Sequence, residues 1–260
     1  MKICELTAWL EEIYPPVMAE EWDNVGFLVG DDEREVTCVF LALDLTEETL
    51  LEAERAGAEL IITHHPMIFS GIKRVSNHSF TGRRILSLIQ KNMGYYAMHT
   101  NYDILGMADH SAQLLGLKEP RVLAETFREG ERSEGLGRVG DLESPMTLRE
   151  YALFVKERLC LGDVKVYGNL EGMVERAAVC TGSGKSLLSQ VERSGAQVYV
   201  TGDIDHHTGI DAVASGLFII DAGHYGTEYI FMEAVKKRLA EAYPHLRVVC
   251  AQVKSPYSIL

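Results

Sequence analysis

The 260-residue chain has no long uncharged apolar run, which excludes a transmembrane helix of the roughly 20 residues that a bilayer requires. It has no cluster of lysine or arginine either. Twenty-five basic residues stand against 38 acidic ones, for a net charge of −13. Non-specific binding to nucleic acid or to an anionic membrane needs the opposite balance, so neither partner is expected. Cysteine is scarce: the five (Cys4, Cys38, Cys160, Cys180, Cys250) are scattered, and no two form a Cys-x-x-Cys pair. That usage argues against a thiolate zinc site and suits a reducing cytosol with mostly buried thiols. The N-terminal stretch MKICELTAWLEEIYPP reaches acidic residues within one short helix and lacks a signal-peptide core, so a cytoplasmic location is expected.

What the chain does have is alternation. With 47% hydrophobic residues it can build one large domain or two compact ones. Short β-rich runs recur at 38–44, 60–63, 95–100, 164–168, 176–182, 198–203, 217–223 and 247–253, with helical patterns between most of them. Thr46, followed by Glu47 and Glu48, opens a helix that Gly57 closes. Thr147 and Glu150 read as a capping box before Leu148, Tyr151, Ala152, Val155 and Leu159, which share one helical face. Strand–helix alternation of this kind predicts an α/β fold with largely parallel pairing. The stretch from Glu125 to Met146 is rich in glycine and charge and breaks the alternation. It reads as the passage between two α/β units, a first over residues 1–125 and a second over 126–260, whose C-terminal part is free to pack back on the first. LIITHHP is loosely echoed in VYVTGDIDHHTG, a weak sign of internal duplication.

Side chains able to hold a metal gather at three strand ends: His64 and His65 in the first, His99 and Asp103 in the second, His224 and Glu228 in the third. Ligands of open α/β sheets lie beyond the carboxyl ends of parallel strands, where such groups can converge without entering the core. Imidazole with carboxylate suits zinc, manganese, iron or nickel better than calcium. The set exceeds what one tetrahedral ion needs and would serve two ions about 3.5–4 Å apart with a carboxylate between them. Each residue also has an ordinary structural reading. Asp103 could be a turn or cap residue, His224 a loop residue beside glycine, and Glu228 a favourable charge in a first helical turn.

The motifs EEWDNVGFLVGD, ALDLTEE, ITHHPMIFSGIKRV, MHTNYD, GLGRVGDL, VYVTGDIDHH and DAGHYGTE, in that order along nearly the whole chain, resemble the Nif-three-like family of dinuclear metal proteins. Bacterial members of that family are often labelled GTP cyclohydrolase I type 2 homologues. The resemblance implies two α/β domains with a dinuclear metal site in the cleft between them, and a homohexameric ring. It implies metal ligands at His64, His65, Asp103, His224 and Glu228, with His99 beside them. Asp103 and Glu228, with two oxygens each, are the residues suited to bridge. The long inserted middle domain of some relatives is missing.

One departure touches candidate catalytic groups. Relatives commonly have Thr-Gly-Glu where this chain has Thr201-Gly202-Asp203, which sets a carboxylate meant for substrate or proton transfer one methylene back. His206 and His207 follow and could meet a substrate, or simply begin a helix. Asp23 and Asn24 are family motif residues and also good turn formers, and Asp44 reads as an orienting partner for a histidine. AVCTGSGKSLL imitates a phosphate loop but holds Val179 where the first glycine must stand, so it fails as a nucleotide motif. The function expected is that of a metal-dependent hydrolase with two divalent ions per chain, acting on a nucleotide or another small molecule. The competing class is a non-enzymatic metal-binding, metal-delivery or regulatory protein built on the same ligands.

Overall fold

A computed structural model describes residues 1–258. The chain forms two compact units. The first comprises Met1–Tyr102 with Phe231–Lys254, and the second Asp103–Ile230 with residues 255–258.

The first unit is a five-stranded sheet in the order β1-β4-β3-β2-β11. Its strands are β1 (Gly26–Val29), β2 (Cys38–Ala42), β3 (Leu60–Thr63), β4 (Gly94–Ala97) and β11 (Arg247–Cys250). β11, β2, β3 and β4 run parallel, and β1 pairs antiparallel with β4 at one edge. Strands β2, β3 and β4 are buried at every position, as expected of parallel strands covered on both faces. The helices of this unit are α1 (Ile3–Ile13), α2 (Glu47–Ala56), α3 (Phe80–Gln90), the short α4 (Thr100–Tyr102) and, after the second unit, α10 (Ile230–Ala242). α2 starts where the sequence places it. The Thr46 side chain accepts from the Thr49 amide, and Gly57 ends the helix with φ +65°, a left-handed conformation that glycine adopts without strain.

The second unit is a six-stranded mixed sheet in the order β5-β6-β8-β9-β10-β7. It contains α5 (Ala108–Leu114), β5 (Lys118–Glu129), β6 (Arg132–Thr147), α6 (Leu148–Arg158), β7 (Lys165–Tyr167), β8 (Met173–Ser183), α7 (Leu188–Ser194), β9 (Val198–Gly202), α8 (His206–Ala214), β10 (Phe218–Asp221) and α9 (His224–Glu228). Only β8, β9 and β10 run parallel. The glycine- and charge-rich stretch from Glu125 to Met146 is therefore not a linker. It forms most of the antiparallel β5–β6 hairpin, which turns through Gly130 at φ +60° and pairs onto β8. An edge strand open to water on one side carries charge readily, which is why composition hid it. The core of this sheet holds Ala178, Val191, Tyr199, Leu217 and Ile219. At α6 the capping box forms in both directions between Thr147 and Glu150. Among the described residues no helix is long and apolar enough to cross a membrane.

Candidate metal centre

In the first unit the chemistry collects at the carboxyl ends of three adjacent parallel strands. β3 runs directly into His64 and His65, β4 leads through Met98 to His99, and β2 leads to Asp44. The hydrogen-bond ladder continues past the strand ends. The His64 amide donates to the Ala42 carbonyl (3.2 Å) and the His65 amide to Leu43 (2.9 Å), so both side chains leave a fixed backbone. Thr63 Oγ1 and the buried Tyr95 hydroxyl each donate to the His65 carbonyl, at 2.8 and 3.1 Å, and lock the turn. His64, His65 and His99 each offer a ring nitrogen, and the three nitrogens lie within 4.8 Å of one another.

Each of these imidazoles is oriented through Nδ1. His64 Nδ1 lies 2.9 Å from the Met98 carbonyl oxygen, which can only accept, so the proton is on Nδ1. His65 Nδ1 lies 3.0 Å from an Asp44 oxygen, and His99 Nδ1 lies 2.9 Å from Asp23. A carboxylate or carbonyl at Nδ1 makes Nε2 the nitrogen that carries the lone pair and raises its basicity, the usual arrangement behind a metal-ligating histidine. Asp23 is fully buried at its side chain. Burial alone would raise its pKa, yet hydrogen bonds from His99 and from the Thr100 hydroxyl and amide outweigh that and hold it down at about 2. It stays an anion facing His99.

The second unit repeats the device. β9 leads directly to Asp203 and β10 leads to His224, the first residue of α9, and His224 Nδ1 lies 2.7 Å from Asp203 Oδ2. A carboxylate beyond one parallel strand thus orients a histidine beyond its neighbour, as Asp44 on β2 orients His65 on β3. One turn along α9, Glu228 is 3% exposed, and its Oε2 sits 3.0 Å from His224 Nε2. Gly182 on β8 makes room for both: a Cβ there would fall 2.1 Å from Glu228 Oε1 and 3.5 Å from His224 Nε2. Asp103 opens a π-helical segment, Asp103–Met107, set between α4 and α5. π-turns inside helices recur at functional sites because they re-aim one side chain. The buried Arg138 of β6 holds this one in place, donating to the Ile104 carbonyl at 3.3 Å and to Asp109 at 2.5 Å. A carboxylate oxygen of Asp103 lies within 4.8 Å of one of Glu228.

The donors fit a divalent cation. In the first unit three imidazoles have lone pairs set by their hydrogen bonds, and in the second an imidazole lies with two carboxylates; donors of these kinds suit zinc, iron, manganese or nickel. In the second unit the proton shared by His224 and Glu228 stands where a cation would be ligated by both. The Glu228 hydrogen bond raises the His224 pKa, against burial and with further help from Asp203, to about 9. The sign follows. The folded metal-free chain binds more protons than the unfolded one between the ordinary histidine value and about 9, so this group stabilises it fully below that window and loses its contribution as pH rises through it. Metal uptake must displace the same proton. Affinity is expected to rise with pH up to about 9, with a proton released per ion bound at His224. Calorimetry in buffers of different ionisation enthalpy measures that release directly. Affinity flat from pH 6.5 to 9 would contradict it.

His206 and His207 lie in the first turn of α8, both exposed, with ring centroids 5.2 Å apart. Asp205 caps that helix through the Thr208 amide (3.0 Å) and also pairs with Lys185. The phosphate-loop imitation is an internal turn: the Gly184 amide donates to Thr201 Oγ1 (2.9 Å) and its carbonyl accepts from Tyr199. Lys185→Ala is accordingly expected to leave metal content unchanged by elemental analysis. Loss of ions from a folded variant would reinstate that turn as a site.

Fold and donor set together define an α/β protein with histidine–carboxylate clusters at the carboxyl ends of its parallel strands. The pattern of the Duf34/NIF3 (NGG1p interacting factor 3) family matches residues 1–256, and the chain belongs to that family. It is 33% identical, over all of both chains, to a Clostridium perfringens protein named "GTP cyclohydrolase 1 type 2 homolog". Among solved structures it is similar to a Bacillus cereus protein related to NIF3 (TM-score 0.92, 26% identity, covering 100% of this chain and 99% of that one). A Staphylococcus aureus hypothetical protein is comparably close (TM-score 0.91, 31% identity, the same coverage).

Proposed function

We propose that the chain is a metal-dependent hydrolase with a dinuclear centre, its two ions held by His64, His65, Asp103, His224 and Glu228. The observation that carries this reading is the common state of the imidazoles: each Nδ1 is engaged by a carboxylate or a carbonyl oxygen, so each ring is set to present Nε2. When bound, such ions supply Lewis acidity and bring a water's pKa toward neutrality. Asp103 and Glu228 carry the negative charge that lets two cations share one site. His99, held against the permanently ionised Asp23, takes or returns a proton at Nε2. Asp203 acts through His224 by fixing its orientation. The name carried by relatives, GTP cyclohydrolase 1 type 2 homolog, favours a nucleotide substrate. Family resemblance also favours a cytoplasmic homohexamer, which light scattering of the metal-loaded protein tests.

The deciding experiment loads the purified chain with zinc or manganese and assays a panel of nucleotides and phosphoesters. Turnover that chelator abolishes and metal restores supports the hydrolase. A full pair of ions with no turnover on any of them would instead favour metal storage, delivery or regulation.

A further inference from the structure

Beside the histidine cluster of the first unit lies a pair of rings that the chemistry above does not use. Trp22 is 57% exposed and Phe69 50%, and they stack with centroids 5.7 Å apart, 24° from parallel. Both also meet the His99 ring edge-on, at 5.9 Å with interplanar angles of 73° and 67°. His99 in turn lies 5.1 Å from the His64 ring and 5.4 Å from the His65 ring. Single exposed aromatics are ordinary on a protein surface; a stacked pair contiguous with a polar cluster is not.

The pair is held from below by polar groups. Asp23, next to Trp22, accepts from His99 Nδ1 and from Thr100, and the Glu20 amide donates to Thr100 Oγ1 at 2.9 Å. Asn24 Nδ2 donates at 2.6 Å to the carbonyl of Ile68, the residue before Phe69. The turn carrying Trp22 and the loop carrying Phe69 are thus tied to each other and to His99. Two turn-forming residues of the WDNVG motif serve as the anchors.

We infer that Trp22 and Phe69 form a stacking platform for a planar aromatic ring of the substrate, next to the groups that act on it. This rests on the hydrolase reading for what lies beside the platform, though not for the platform itself. The size of the patch favours a ring over a protein partner. Two half-exposed rings present on the order of 200 Å², against the roughly 800 Å² per side of a stable protein interface. Stacking tolerates any flat π-face, so the platform selects for a ring without fixing which one.

The test compares guanosine monophosphate with ribose phosphate, the same anion without the base, by calorimetry on the metal-loaded full chain. The native protein is expected to bind the base-bearing probe at least ten-fold more tightly. Trp22→Leu and Phe69→Leu should each remove most of that preference, Trp22→Phe should keep part of it, and elemental analysis should find the same ions in all four proteins. Equal affinity of the native chain for both probes, or a preference unchanged in both leucine variants, would overturn the platform and leave the hydrolase reading standing. If the native chain binds no ions, that reading falls alone. Quenching of Trp22 by guanosine monophosphate in a Trp9→Phe background then tests the platform without metal, and no quenching overturns it. Self-association that Trp22→Leu abolishes would show instead a face between copies, and would also overturn it.

Discussion

Gly182→Ala is expected to strip metal from the second-unit ligands while the chain stays folded. The added methyl would lie 2.1 Å from Glu228 Oε1, closer than any real Cβ contact, and a tight 3.1 Å from its Cδ. Glu228 is 3% exposed and has little room to swing aside, so relieving the clash means pulling its carboxylate away from His224. The backbone adds a smaller penalty. Gly182 has φ +66°, where an L-residue is disfavoured by about 1–2 kcal/mol. Strain of that size lowers the Tm of a domain this large by only a few degrees, about 2–4 °C per kcal/mol. Gly195→Ala is the control. Gly195 ends α7 at φ +75° with nothing within 4 Å of an added Cβ, so that variant takes the backbone strain without touching a ligand. Elemental analysis and thermal melts on both variants separate the effects. If Gly182→Ala holds its ions as tightly as Gly195→Ala does, Glu228 is not a ligand.

Much of the architecture could be read from the chain. The eight β-rich runs all overlap strands, and seven of those strands pair in parallel, where burial writes them as short unbroken apolar runs; the eighth, β7, is an antiparallel edge strand. The caps at Thr46 and Thr147 were legible because capping is local chemistry within four residues. The β5–β6 hairpin was not. Its outer strand is charged and mostly exposed, and glycines at Gly130 and Gly137 sit at positive φ where the hairpin turns and twists. The edge strand β1, no shorter than β3, lies between Gly26 and Gly30, both at positive φ, which read as turn formers. At the candidate site the residue types could be read, but the pairings only in part. Asp44 could be suspected of orienting a histidine, since it ends a strand near others. Nothing local joins Asp23 to His99 across 76 positions, or Asn24 to Ile68. Those bonds come from topology, which sets distant chain segments side by side. Asp203 is a further case: its place after Thr201-Gly202 suggests a group meant for substrate, and the fold sets its carboxylate on His224 Nδ1.

Asp103→Asn and Glu228→Gln are expected to weaken both ions, whereas His65→Ala weakens one. An imidazole is a ligand to a single cation. A carboxylate shared between two cations also screens their repulsion, which is large in a partly dry site. His65 is the fair comparison, because the fully buried His64 packs on Phe231 and Tyr102 and its removal would open a cavity as well. The carboxylate variants carry a second, opposite signature. Asp103 and Glu228 bring oxygens within 4.8 Å of each other, and in the metal-free chain the protonated His224 beside Glu228 offsets only part of their like charge. Removing one charge relieves that repulsion. After chelation, therefore, Asp103→Asn should melt at or above the native temperature. With saturating metal the native protein should gain several degrees, since an ion at 100 times its Kd adds about 2.7 kcal/mol. The variant should gain little. The melting curves cross: the variant is the more stable protein without metal and the less stable with it. His65→Ala has no such inversion, because it removes a ligand without removing a negative charge. A native chain that binds one ion at saturation would dismiss the pair in favour of a single ion on histidines, and carboxylate variants that keep a full pair and the native metal-dependent rise in Tm would dismiss the carboxylate bridge.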